Sequence, residues 1–376
     1  MTGPASLALR HGYRGLERGT ELAAERGFHI ASLDGIRGLA ALIVFVGHAG
    51  LGHILPGGFG VTVFFFLSGY LITTLLRREY EQTGSISLRN FYLRRVYRIF
   101  PPLYLVLALL ILLALAGAVA NEMTLAGVLA QFAHLTNYYI AAADGPKVTA
   151  LAPFTAPFWS LAVEEHFYLL FPLALLALLR RQPYARIALV LALACGLVLL
   201  WRVVLVLSLE NPAHYIYHAT DTRIDSLLFG CMMALWLNPA LDPAPARIGE
   251  RGWLALCVLA AALLLASFLY RSPEFRETLR YTLQGIALFP LFYCAVRYHR
   301  SPAFSWLSSK PLVALGLISY PFYLAHYAGI RLAAKLMDGN GVLVAAAGFC
   351  LTTAFAAACY LLVERRFAAL RHKLHG

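Results

Sequence analysis

Apolar runs near the length of a bilayer crossing recur along this chain, and that repetition constrains its fold more than any other feature. Ten such runs fall at about 36–54, 58–76, 99–120, 158–179, 187–208, 222–238, 252–270, 280–297, 312–334 and 341–363. A helix needs roughly 20 apolar residues to cross the hydrocarbon core. The 376-residue chain is 60% hydrophobic and 13% charged, with a mean hydropathy of +0.69. Soluble domains sit near about 45–50% and 25% on the same two counts. The expected fold is all-α: a polytopic membrane protein of about ten transmembrane helices.

The net charge of +12 raises nucleic acid as a partner, but the basic residues stand in short clusters between the apolar runs. That is the pattern of positive-inside topology, so the expected partner is a lipid bilayer and no nucleic acid. One set of loops holds Arg77, Arg78, Arg89, Arg94, Arg95 and Arg98, then Arg180, Arg181 and Arg186. The same set continues with Arg247, Arg251, Arg297, Arg300 and Lys310, and ends in a tail with Arg365, Arg366, Arg371 and Lys373. The opposite set holds Lys147, Lys335 and the Arg271/Arg276/Arg280 loop, offset by Glu274 and Glu277. The bias places both termini in the cytosol, provided that residues 121–157 do not cross. That less apolar region reads as a short re-entrant or interfacial helix near 123–141.

Residues 1–30 read as a basic cytosolic arm rather than a cleaved signal, 31–364 as the membrane domain, and 365–376 as a basic cytosolic tail with no soluble domain beyond it. The six cysteines lie in apolar runs without ligand spacing. They read as small buried hydrophobes, and no metal site is expected. No period of 20–50 residues and no duplicated half is visible, which counts modestly against a transporter.

Ionisable residues within the apolar runs are few, clustered, and functional candidates by default. The first run carries Asp34, Arg37 and His48. Arg37 and His48 are eleven residues apart, close to three turns at about 100° per residue, which puts them on one helix face about 16 Å apart. Trp159-Ser160-Leu161 opens the fourth run and leads to Glu164, Glu165 and His166; Glu164 is the better interior candidate of the three. Asp221, Arg223 and Asp225 open the sixth, where a purely structural ion-pair set with aspartates at i,i+4 competes evenly with a functional role. Tyr320, Tyr323 and His326 lie in the ninth, and Ser68 in the second. Arg94, Arg95 and Arg98 precede Pro101-Pro102. Topology explains their charge, but Arg95 and Arg98 at i,i+3 on a helix start would also form a phosphate-sized anion site.

Taken in order, these motifs resemble the acyltransferase family 3 membrane proteins. The match runs from about residue 31 to 364 and rests on six segments. They are Leu33-Asp34-Gly35-Ile36-Arg37 with its ten-residue spacing to His48, Gly60-Val61 through Phe65-Phe66-Leu67-Ser68-Gly69, and Arg95-x-x-Arg98 before Pro101. Trp159-Ser160-Leu161 to Glu164 with Phe167-Tyr168, then Asp221-Thr222-Arg223-Ile224-Asp225, then Ser319-Tyr320 with Tyr323-Leu324 and His326 complete the series. The one departure noted is Ile36, where leucine is common.

The resemblance implies an O-acyltransferase with a cytosolic acyl-CoA donor, usually acetyl-CoA, and no tightly bound cofactor. The implied acceptor is a hydroxyl of a glycan, a lipid-linked sugar or a small metabolite. It makes His48 and Arg37 central. Some relatives carry an extra extracytoplasmic domain; without one, this chain is expected to act alone or to hand the acyl group to another protein, and an oligomer is compatible with either. Chemically, His48 fits a general base near neutral pH, Glu164 a carboxylate that orients it, and Arg94, Arg95 and Arg98 a grip on CoA phosphates. A base role and a transient acyl-histidine are both left open. The competing class is a polytopic transporter or flippase, which ten helices with buried charges fit equally well on composition.

Overall fold

A computed structural model describes residues 30–53, 56–142, 150–245, 248–337, 341–372 and 374. The expected basic arm lies outside the described residues apart from Ile30, as do Asp144 and Lys147 of the 121–157 region, Arg247 and Lys373. No strand occurs among the described residues. The helices are α1 (Ala31–Val46), α2 (Gly57–Thr83), α3 (Leu88–Leu115), α4 (Leu125–Phe132), α5 (Thr136–Ala141), α6 (Trp159–Leu179), α7 (Tyr184–Ser208), α8 (Ala213–His218) and α9 (Thr220–Arg223). They continue with α10 (Asp225–Trp236), α11 (Glu250–Leu269), α12 (Pro273–Glu277), α13 (Leu279–Arg297), α14 (Lys310–Leu317), α15 (Ser319–Leu336), α16 (Gly341–Cys359) and α17 (Arg365–His372).

Among the described residues eight helices are long and apolar enough to cross a membrane, and the count reaches nine when the pair α14 and α15, bent by 82°, is taken as one span. The chain is a multi-pass integral membrane protein. The count differs from ten at the sixth run, 222–238, which folds as the 12-residue α10 preceded by the short α9. Its side chains are buried almost all round, because α10 packs between α2 and α7 instead of facing lipid. An element surrounded by protein does not need the length that lipid imposes. The contact with α2 depends on two glycines. A Cβ on Gly69 would overlap the Leu227 carbonyl, and one on Gly230 would overlap the Phe66 carbonyl, so the backbones approach as small-residue packing in membranes allows.

Two further expectations are redrawn. The third span begins upstream of the expected residue 99: α3 starts at Leu88 and runs through Pro101-Pro102. Arg95 and Arg98 therefore lie about two and three turns inside a helix, not at its start. In the 121–157 region, α4 and α5 form two short helices that meet around His134, whose φ of 55° turns the chain back. Neither is long enough to cross. The π turn Tyr360–Glu364 links α16 to α17, which lies on α3 with Phe367 against Tyr97.

Helix connectivity gives the bundle two ends. Arg77 bridges Asp242 and Arg297 donates to the Pro239 and Asp242 carbonyls at one end. At the other, Arg271 donates to the His53 carbonyl and the start of α2 abuts the turn that ends α1. Arg37 lies toward the first end of α1 and His48 toward the second. Cys350 is exposed and the other five cysteines are buried, all six as free thiols.

Candidate active site

Arg37 of α1, Ser68 of α2, Arg95 and Arg98 of α3, Glu164, Glu165 and Tyr168 of α6, and Tyr320 and Tyr323 of α15 line one cavity of about 360 Å³. Five of the six sequence motifs thus converge on a single space from helices far apart in the chain. Arg37 is ion-paired one turn back with the buried Asp34, which fixes its guanidinium at the wall. The Arg95 guanidinium lies 5.6 Å from the centre of the Tyr168 ring, at cation–π distance. Ser68 and Tyr168 hydroxyls are 2.6 Å apart, and the Tyr168 hydroxyl donates to Glu164 at 2.7 Å. Three guanidiniums and two carboxylates therefore share a low-dielectric pocket in which each charge acts strongly. Tyr320 anchors the α15 wall by donating to the Ile99 carbonyl at 3.0 Å.

Arg94 does not join them. Its guanidinium pairs with Glu79 at 3.2 Å and donates to the Leu374 carbonyl, because one residue before Arg95 on a helix points about 100° away.

His48 occupies a second, connected arrangement. It follows the last α-helical residue of α1, in a π turn over Gly47–Leu51 that ends the helix by way of Gly50 at φ 98°. Such π turns recur at functional sites. The ring is exposed, and its partner is not Glu164 but His326: His326 Nε2 lies 3.1 Å from His48 Nδ1. Glu164 is engaged by Tyr168 in the cavity instead. His326 is 1% exposed and its Nδ1 lies 2.6 Å from the Tyr323 carbonyl.

A carbonyl only accepts, so in the neutral ring His326 carries its proton on Nδ1 and presents a lone pair on Nε2. That lone pair takes the His48 Nδ1–H, which the Val44 carbonyl also accepts at 3.0 Å. The remaining nitrogen of His48, Nε2, is left as an open acceptor. Tyr323 joins the two parts of the site, since its ring lines the Arg37 cavity and its carbonyl holds His326. Its hydroxyl is fixed by Ser160 at 2.6 Å and by the Pro157 carbonyl at 2.9 Å.

Asp221, Arg223 and Asp225 do not form one ion-pair set. Asp221 accepts from Tyr138 at 2.9 Å, from the indole of Trp201 at 2.7 Å, and from Tyr215. Asp225 pairs at 2.7 Å with Arg202 of α7, and both side chains are fully buried. Sequence reasoning passed over Arg202, although a lone arginine within the run 187–208 was its visible signal. Arg223 is fully buried among aromatic rings: its guanidinium carbon lies 4.1 Å from the Tyr281 centroid and 5.4 Å from that of Trp159. His166 is held by the Thr220 hydroxyl at 2.7 Å and Glu165 lines the cavity. Among the described residues no group of three metal-ligating side chains comes together.

Membrane-crossing helices that enclose a cavity of paired charges, with a histidine pair at its far side, define a multi-pass membrane protein with an intramembrane polar site. A family model described as an acyltransferase domain matches residues 30–361. The chain belongs to that family. It is 29% identical over 323 residues to the peptidoglycan O-acetyltransferase OatA of Listeria monocytogenes, covering 82% of this chain and 51% of the relative. It is 30% identical over 351 residues to a putative O-acetyltransferase of Staphylococcus aureus strain COL, covering 90% and 57%. An O-acetyltransferase OatA of S. aureus strain NCTC 8325 is 31% identical over 307 residues, covering 80% and 50%. The chain spans about half the length of these curated relatives. No solved structure matches it significantly.

Proposed function

We propose that the chain is a membrane O-acyltransferase that moves an acyl group, in the first instance acetyl, from cytosolic acyl-CoA to a hydroxyl of a cell-envelope glycan. The observation that carries this reading is the histidine pair: in a chain of the acyltransferase family, His48 is held by Nδ1 with its Nε2 open. In this reading the Arg37 end of the bundle is cytosolic, together with both termini, and His48 stands toward the far side. Arg95 and Arg98 take CoA phosphates, for which guanidinium forks are suited. A cavity of about 360 Å³ lies near the low end of ligand sites, roughly 300–1,000 Å³. It suits the thioester arm, with the nucleotide held at its basic mouth. Arg37 guides that arm along α1 toward His48, about 16 Å further by helical rise.

The acceptor hydroxyl gives its proton to His48 Nε2 as its oxygen bonds to the acyl carbon. The carbon–sulfur bond breaks, and the proton passes from His48 to the departing CoA thiolate. His326 orients the base and steadies the imidazolium as it forms, the place in which sequence reasoning had set Glu164. The relatives' names, a peptidoglycan O-acetyltransferase among them, support a glycan as acceptor.

The test is acetyl-CoA turnover by the purified protein with glycan acceptors and no ion gradient. Turnover is expected to vanish in His48→Ala while the protein stays folded. The pair Arg95→Ala and Arg98→Ala is expected to weaken CoA binding more than it slows the chemistry. Wild-type turnover in His48→Ala defeats the assignment. The transport reading draws on the bent helix pair α14–α15, since transporters use discontinuous helices at their substrate sites. Movement of substrate without CoA release would favour it.

A further inference from the structure

The chemistry above leaves a second cavity, roomier than the Arg37 one, without a role. Its volume is about 1070 Å³, and it opens at the end of the bundle where α1 finishes. One wall is Gly52 and His53, directly after the turn that carries His48, with Phe59 of α2 beside them. The facing wall is α12 with its flanking residues, which bring Arg271, Arg276 and Arg280 against one lining carboxylate, Glu277, with Glu274 also on α12. Arg271 ties the walls together by donating to the His53 carbonyl at 3.3 Å.

None of these three arginines is ion-paired among the described residues. Arg280 donates to the Tyr281 hydroxyl at 2.8 Å, yet its Nε is buried with no hydrogen-bond partner among them. Tyr217 and Tyr281 also line the space, and directly behind those rings lies Arg223, fully buried and likewise without a carboxylate partner among the described residues. Positive charge thus exceeds negative within a concave, partly apolar wall, which concentrates potential and draws anions. The aromatic rings offer flat faces beside the guanidinium forks. That pairing fits a sugar ring that bears an anionic group, which a fork binds through two oxygens.

The cavity is also separate from the donor side. The two cavities share no lining residue, and Trp159 stands 5.0 Å from the Tyr217 ring of this one and 6.2 Å from the Phe65 ring of the Arg37 cavity. We propose that the 1070 Å³ cavity is the acceptor subsite and that it selects an anionic carbohydrate, one whose sugar carries a carboxylate or a phosphate next to the hydroxyls. The assignment as acceptor rests on the acyl-transfer reading, whereas the preference for anionic sugars stands on the cavity itself.

Binding is therefore measured without acetyl-CoA, on the full chain in nanodiscs, by titrating three oligosaccharides of equal length. One contains glucuronate, one is its carboxyl-reduced neutral form, and one carries a phosphate monoester. At least one anionic probe is expected to bind tenfold or more tightly than the neutral one, and which of them does so separates carboxylate from phosphate. Arg276→Gln and Arg271→Gln, both on exposed side chains, are each expected to lower the anionic affinity by about tenfold, as for a charge-assisted contact. Their neutral-sugar affinity and melting temperature should stay at wild-type values; Arg280→Gln is the third variant. Equal binding of all three sugars overturns the proposal, and so does a preference that survives all three substitutions. Loss of CoA release with intact anionic-sugar binding would count against the acyl-transfer reading alone.

Discussion

Removing His326 tests the core of the site most directly. In His326→Ala the Nε2 acceptor for the His48 Nδ1–H disappears, while the Val44 carbonyl at 3.0 Å remains. The His48 tautomer therefore persists, and the loss should fall well short of the roughly 10⁴-fold seen when an orienting group forces the wrong tautomer. What goes is one hydrogen bond to a ring that becomes cationic as it takes the acceptor proton. Such charge-assisted bonds contribute about 1.5–3 kcal/mol, which at about 1.4 kcal/mol per decade is a 10- to 150-fold fall in kcat. KM for acetyl-CoA should not move, because His326 does not line the Arg37 cavity. His326→Gln keeps most of the volume and offers an amide oxygen as acceptor, so it should recover part of the loss. The assay is CoA release read with a thiol reagent, paired with thermal unfolding to show that each variant is folded. A folded His326→Ala protein with kcat within threefold of wild type would falsify the orienting role.

Two further expectations concern stability. Arg202 and Asp225 are fully buried partners, so Asp225→Ala, which strands the guanidinium, should cost about 3–5 kcal/mol in denaturant unfolding. Replacing both with Met and Leu should recover most of it, and a double variant no better than the single ones would show that the pair is not a closed unit. His218 lies outside the spanning helices with its Nδ1–H donated to the His214 carbonyl, and burial lowers its pKa from 6.5 to about 4. The unfolded chain takes up that proton near pH 6.5 and the folded chain resists it. The stabilisation is complete above pH 6.5 and drains away as pH falls toward 4. The melting temperature should drop between pH 7 and pH 5, with a shallower slope in His218→Gln.

The sequence by itself determined that this is a helical membrane protein, since a bilayer demands long apolar runs and leaves them readable one run at a time. It also picked out the side chains that matter, because an ionisable group in an apolar run is conspicuous without any knowledge of its neighbours. Arg37, Glu164, Tyr320 and Tyr323 stand out in this way, Arg95 and Arg98 by their i,i+3 spacing before Pro101-Pro102, and all six line one cavity.

Pairing was not legible. Helical phase relates residues on one helix, whereas His48 with His326 and Asp225 with Arg202 join helices through packing that no local pattern encodes. The span 222–238 misled for the same reason: whether an apolar helix meets lipid or protein is decided by its neighbours, and α10 meets α2 and α7. Most of the cationic cavity was hidden as well. Its arginines had been counted as loop charge, and only the tertiary structure sets α12 across from the turn after His48, where their charge can add.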